Sequence, residues 1–225
     1  MSIHKDDLIQ KMQKIGSSVF ADVMENKNVM DYKLKPVNDA GPLVGLARTV
    51  SVPPGDNLFL HYAMYEVSVG DIIVVDGKDF KGSAYLGELM AGAAQKLGIK
   101  GIIIDGLVRD RSELRQLDLS IYAKGFTPIG PKKEGPGTFD QTITCAGAVV
   151  SPGDFIVGDE DGVVVVPYKD ATNLIAKAEN KIAYESSRLE KIEAFQLNDK
   201  HVTKDAIKPG WLDDAMKPFK GNTSH

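Results

Sequence analysis

Apolar and polar positions alternate along the chain in two distinct rhythms. Residues 5–27 repeat their apolar positions at helical spacing, in two pieces interrupted near Gly16. Ser17 or Ser18 is placed to cap the second piece, whose apolar face is Val19, Phe20, Val23 and Met24. The segment 28–45 carries prolines and glycines at intervals and reads as loop. LARTVSV reads as a strand, PPGDN as a turn, and LFLHYAMYEV as a helix with Asp56 as its expected N-cap. VGDIIVVDG is a turn, a buried strand and a turn. A helix is predicted from Ala84 to Leu97, closed by Gly98, and KGIIIDG is the next strand.

The second half changes character. SIYAKG reads as a short strand, and residues 128–140 form a Pro-, Gly- and Lys-rich loop. TITCAGAVV, FIVGDEDG and VVVVP then read as strands joined by tight turns, where Asp-Gly suits a hairpin. From Lys169 to about Leu197 the pattern predicts one long charged helix, and the last 25 or so residues an arm. Strands and helices alternate through the middle and strands cluster near 143–166, which predicts an α/β layered domain with a mixed sheet over 1–168. Residues 169–225 are expected to form a C-terminal helix and arm packing on a neighbouring subunit.

Composition narrows the class. A net charge of −4 spread over both signs gives no basic face, which argues against nucleic acid. One cysteine, Cys145, cannot form an intramolecular disulfide, and a reduced cytoplasmic setting is expected. No apolar run approaches the roughly 18 residues of a membrane span, so no membrane partner is expected.

Two segments carry chemistry. In GELMAGAAQKLG, Gly87 stands where a strand-to-helix loop becomes helix. The first turn of a helix has unpaired N–H groups and partial positive charge, so Gly87, Glu88, Leu89 and Met90 can offer amides to an anion. The alternative is a plain helix start whose acid suits the dipole. In IIIDGLVRD, Asp105 ends a buried strand, and Arg109 and Asp110 follow a glycine turn. Arginine grips carboxylates with two parallel hydrogen bonds, and aspartate holds hard divalent cations. A surface ion pair beside a turn is the alternative. Consecutive strand ends lie side by side in a parallel crossover, so the two segments are expected to share a pocket suited to an anionic, metal-bound small molecule.

GELMAGAAQKLGIKGIIIDGLVRD resembles the signature block of the RraA-like family. That family includes class II 4-hydroxy-4-methyl-2-oxoglutarate/4-carboxy-4-hydroxy-2-oxoadipate aldolases. ARTV, GDNL, GDIIVVDG, AKGFTP and SPGDFIVGDEDGVVVVP also match, over roughly residues 15–195. The resemblance implies an αββα sandwich like the swivelling phosphohistidine domains, assembled as homotrimers or homohexamers with intersubunit active sites. It implies a metal-dependent aldolase with oxaloacetate decarboxylase activity on a 2-oxo acid substrate. On matching positions, Asp110 binds Mg²⁺ or Mn²⁺ largely through waters, and Arg109 binds substrate. The amides of Gly87 to Met90 hold the pyruvyl carboxylate. Glu88 stands where the aldolases often carry Asp, and positions or activates a water. Asp105 is counted with Arg109 and Glu88 as catalytic. A further metal-site acid comes from the long C-terminal helix; Glu185 is the candidate, with Glu179 and Glu190 as alternatives.

Other residues read as structural. His61 sits in an expected core helix, His4, His201 and His225 show no ligand spacing, and Cys145 is expected to be a small buried apolar residue. Lys132 and Lys133 belong to a pocket rim or to a solvated loop, and DEDG at 159–162 to a hairpin turn. No histidine stands in a glycine-rich loop for phosphotransfer, and no glycine-rich SAM loop supports the methyltransferase label some members carry. Two other functions compete. One is a non-catalytic RraA-type regulator of ribonuclease activity, whose chains tend to stop soon after the DGVVVVP strand, whereas this one continues for about 58 residues. The other is a lyase for a different 2-oxo acid, such as a sugar-acid derivative.

Overall fold

Four consecutive parallel strands form the centre of the computed structural model, which describes residues 2–196 and 203–222. In chain order the strands are β1 (Lys35–Pro36), β2 (Leu43–Ser51), β3 (Ile72–Leu86), β4 (Gly101–Val108), β5 (Ser120–Phe126), β6 (Thr138–Phe139), β7 (Ile143–Cys145), β8 (Ala148–Val150), β9 (Phe155–Gly158) and β10 (Val163–Val166). The helices are α1 (Ser2–Met12), α2 (Ser17–Val23), α3 (Leu58–Glu66), α4 (Glu88–Lys96), α5 (Arg111–Leu114), α6 (Ala171–Ala194) and α7 (Leu212–Met216).

The main sheet runs β1-β5-β4-β3-β2-β9-β10, with β6 joined to the end of β2. β2 to β5 are parallel, whereas β1, β6, β9 and β10 pair antiparallel with their neighbours. The fold is therefore α/β with a mixed sheet and a long C-terminal helix, as the alternation in the sequence predicts.

The period-two pleat sorts the apolar strands onto two cores. Ile73, Val75, Ile102, Ile104 and Ile121 face α3 and α4, meeting Leu60, Met64, Ala91 and Ala94. Ile72, Val74, Ile103 and Tyr122 face the other way, toward Ile143, Cys145, Ala148 and Val150 of the β7–β8 hairpin. That hairpin turns on Ala146 and Gly147, both at positive φ (48° and 84°), the geometry that matches strand twist in a two-residue loop. Cys145 is buried, as expected.

Several expected boundaries move. The segment 28–45 contains β1 and the start of β2, and residues 128–140 contain β6. The expected N-cap serine of α2 is replaced by an acid from afar: Asp159, in the β9–β10 turn, accepts from the Ser17 N–H and hydroxyl, each at 2.7 Å. The helix predicted from Ala84 begins only at Glu88, because Ala84 to Leu86 belong to β3. Tyr85 explains this. Its ring is fully buried, and its hydroxyl donates to Gly77 O (2.6 Å) and accepts from Gly55 N–H (3.1 Å), which holds the backbone extended.

The chain divides into two compact units after Ala178, within α6. The first turns of α6 bury Ala171, Leu174, Ile175 and Ala178. In the second unit the helix exposes Tyr184, Leu189 and Ile192. The segment expected as an arm contains α7. The expected helix end near Leu197, along with His201 and His225, lies outside the described residues.

One charge cluster, buried at Lys124 and Asp105, links β3, β4 and β5. Lys124 on β5, 5% exposed, pairs with Asp105 (2.6 Å), Asp31 (3.1 Å) and Asp79 (3.1 Å). Burial opposes its charge, but the three carboxylates outweigh that and move its pKa upward. Lys124→Met would leave Asp105 buried without a counter-charge, so urea unfolding should show a loss of about 3–5 kcal/mol. A loss under about 1 kcal/mol would contradict this role.

Candidate active site

A strand end and a helix start meet where β3 leads into α4 and β4 ends. Arg109 N–H donates to Leu86 O (2.9 Å), which places Arg109 and Asp110 beside Gly87. Asp110 holds φ 60° and ψ 49°, a left-handed conformation that aspartate tolerates better than most residues. That turn aims its carboxylate back at the helix, where Oδ2 accepts the Glu88 N–H at 2.9 Å. Arg109 Nε lies 3.6 Å from the same oxygen.

Gly87 makes this approach possible. It has an ordinary extended backbone (φ −141°), so the need is for space rather than for unusual torsion. A Cβ there would run into the Asp110 carboxylate and come within 2.9 Å of Arg109 Nε. The Glu88 amide is thus already satisfied, and Leu89 and Met90 supply the remaining first-turn amides, which have no acceptor four residues back.

Arg109 lines two cavities. One, of about 310 Å³, is open and shared with Asp110, Arg111, Phe126, Thr127 and Pro128. The other, about 170 Å³, includes Gly87, Leu89, Met90, Asn57, His61 and Lys133 among its walls. Leu89 projects into solvent at the cavity mouth, 85% exposed.

The structure brings together Gly87, Glu88, Leu89, Met90, Arg109 and Asp110. Asp105 is placed elsewhere. The pleat turns it to the opposite sheet face, where it pairs with Lys124 and accepts the Ala146 N–H at 2.8 Å. The Glu88 side chain is exposed and does not line the smaller cavity. Glu185 lies on α6 in the second unit, paired with Lys181 at 2.8 Å.

Asn57, His61 and Lys133 are the residues that sequence reasoning passed over or left open. His61 was expected in the core but stands in the cavity wall, one helical turn beyond Asn57. Their spacing of four was the available signal. Asp56, expected as the N-cap of α3, instead accepts the Leu58 N–H (2.9 Å) from one position earlier and also ties down Glu134 and Gly135 of the facing loop. That loop carries Lys133 to the cavity, while Lys132 N–H donates to Gly55 O at 2.8 Å.

A cation here would meet a single carboxylate. Among the described residues, no three His, Cys, Asp or Glu side chains gather as a metal cage. Asp110 keeps 37% of its side chain exposed, with one oxygen anchored. Such a donor fits a hard cation that retains most of its waters, as magnesium does.

Residues 13–165 match the family model described as RraA-like: Aldolase/RraA. A protein of Halalkalibacterium halodurans named "Putative 4-hydroxy-4-methyl-2-oxoglutarate aldolase" is 38% identical over 188 residues, covering 84% of this chain and 90% of its own. An uncharacterized protein from Pseudomonas syringae pv. tomato has a similar fold, with a TM-score of 0.75 at 21% identity, over 85% of this chain and 94% of that one. The RNA-processing inhibitor RraA from Thermus thermophilis superposes with a TM-score of 0.62 at 30% identity, over 67% of this chain and 92% of that one.

His61 gives a direct check of the cavity wall. Burial, and then the Lys133 charge, hold its imidazole below the usual value of about 6.5. Its native pKa lies below its unfolded one, so the native state should lose stability as pH falls from about 6.5 through that lower midpoint. NMR titration should find the depressed midpoint, and Lys133→Met should raise it only partly, because burial is the larger cause. A midpoint at or above 6.5 would contradict the placement.

Proposed function

The chain belongs to the RraA-like family, and from that premise we propose that it is a divalent-metal-dependent lyase. It splits 4-hydroxy-2-oxo acids into pyruvate and a second oxo acid, and it decarboxylates oxaloacetate. The observation that supports this reading is the junction of Asp110, Arg109 and the first turn of α4, closed over the glycine at 87.

The residues divide the work by charge. The Leu89 and Met90 amides bind the substrate's C1 carboxylate at the positive end of α4. The Arg109 guanidinium sits beside the C2 oxygen, where negative charge grows as the C3–C4 bond breaks. Asp110 would hold magnesium or manganese, with Glu185 of a neighbouring copy as the further acid that the resemblance implies. When bound, that ion supplies Lewis acidity toward the C1 carboxylate and C2 ketone. Glu88 is left to orient water at the mouth. Pyruvate leaves once C3 gains a proton, and both reactions pass through the same enolate of pyruvate.

An assembly of three or six copies belongs to this reading. The apolar Tyr184, Leu189 and Ile192 exposed on the second unit's helix suit a covered face. The competing regulatory reading draws on the likeness to the RNA-processing inhibitor, which covers 67% of this chain. It requires no chemistry, so turnover separates the two.

Pyruvate release from oxaloacetate should require magnesium or manganese, stop with EDTA and return when metal is restored. Turnover no faster than a protein-free blank with the same metal would favour the regulator, and metal-independent turnover would remove the cation from the lyase reading. Arg109→Lys keeps the charge but loses the planar fork, so kcat/KM should fall at least ~10²-fold in both reactions. Near wild-type kinetics would remove Arg109 from its role.

A further inference from the structure

The smaller cavity has a wall that neither the metal nor the carboxylate cradle uses. Asn57 is 2% exposed at the start of α3. Its Nδ2 donates to Tyr85 O (2.9 Å) and approaches Met90 Sδ (3.2 Å), which fixes the amide's orientation. Its Oδ1 is left buried with no donor among the described residues. Buried acceptors are nearly always satisfied, and this unpaired one belongs to a residue of the cavity wall. His61, one helical turn on, donates its backbone N–H to Asn57 O (3.0 Å) and stands half-buried in the same wall. Gly87 and Arg109 line the cavity opposite the pair's helix.

We propose that Asn57 and His61 recognise and deprotonate the substrate's C4 hydroxyl: Asn57 Oδ1 accepts its hydrogen bond, and the His61 imidazole takes its proton. The inference rests on the lyase reading above and adds the residues of the distal half.

The charges around the cavity favour that role. Lys133, from the loop over α3, and Arg109, from the end of β4, are its cations, and among the described residues no carboxylate lines it. The Tyr85 phenol, from β3, is committed to Gly77 O and pushed upward by burial. The imidazole, held low by burial and then Lys133, is the lining side chain that is neutral and basic near pH 7. As C3–C4 breaks, the hydroxyl proton passes to the imidazole and C4–O becomes a carbonyl. The C3–C4 electron pair becomes the enolate of pyruvate. The imidazolium then returns the proton to C3, which completes pyruvate and restores the neutral ring.

Oxaloacetate breaks the corresponding C3–C4 bond but has no C4 hydroxyl to deprotonate, so it separates this step from the rest of the site. The test uses the full chain with magnesium, comparing 4-hydroxy-4-methyl-2-oxoglutarate with oxaloacetate. His61→Asn should lower aldol kcat/KM at least ~10²-fold, and lower decarboxylation at least ~20-fold less than that. The acid limb below pH 6.5 in the wild-type aldol profile should disappear in the variant. Asn57→Leu should shift the same ratio at least ~10-fold, with decarboxylation and thermal unfolding reporting the fold. Equal losses in both reactions, no loss, or a retained acid limb would overturn the assignment. A wild-type chain inactive on both substrates would overturn the lyase reading itself.

Discussion

An aspartate held in a left-handed turn reaches across to the first turn of a helix, and much of the site follows from that reach. The Asp110 carboxylate satisfies one of the amides that every helix leaves open at its start. It does so because position 87 has no side chain to stand between the loop and the helix. The arrangement leaves the next two amides facing outward, a guanidinium beside them and an anchored carboxylate within reach of water. Positive potential from the helix and from Arg109 therefore converges on the smaller cavity.

The parallel sheet supplies the geometry. β3 and β4 are adjacent and parallel, so their carboxyl ends, and the loops that follow them, lie side by side. This is why two segments more than 15 residues apart in sequence meet, with Gly87 against Asp110. The same pleat sends Asp105 to the other face. A strand of alternating sides can carry one acid at its end into a buried charge pair while the loop beyond it turns another toward the start of a helix.

Much of this was legible in the chain. The isoleucines of β4, the apolar runs of β2, β9 and β10 and the charged periodicity of α6 all specify elements through burial and period alone. The cradle residues were legible because glycine before a helix and Arg-Asp after a strand have few cheap explanations in combination. Asp105 was not separable from Arg109 and Asp110, since sequence proximity hides a change of sheet face. Ala84 to Leu86 looked helical because alanine and leucine suit helices, whereas tertiary anchoring of Tyr85 keeps them extended. His61 and Asn57 were hidden for a different reason. An amphipathic helix shows which residues face inward, but not that part of the inward face borders a cavity.

The central claim is that the α4 amides, Arg109 and Asp110 serve one bound oxo acid and one cation together. A crystal structure of the protein grown with manganese and pyruvate tests it most directly, because manganese can be located by its anomalous scattering. The expected result is a manganese peak at the Asp110 carboxylate, with the pyruvate carboxylate on the Leu89 and Met90 amides and its ketone oxygen toward Arg109. Pyruvate and manganese bound apart, or Asp110 still closed on Glu88 with neither ligand beside it, would contradict the claim.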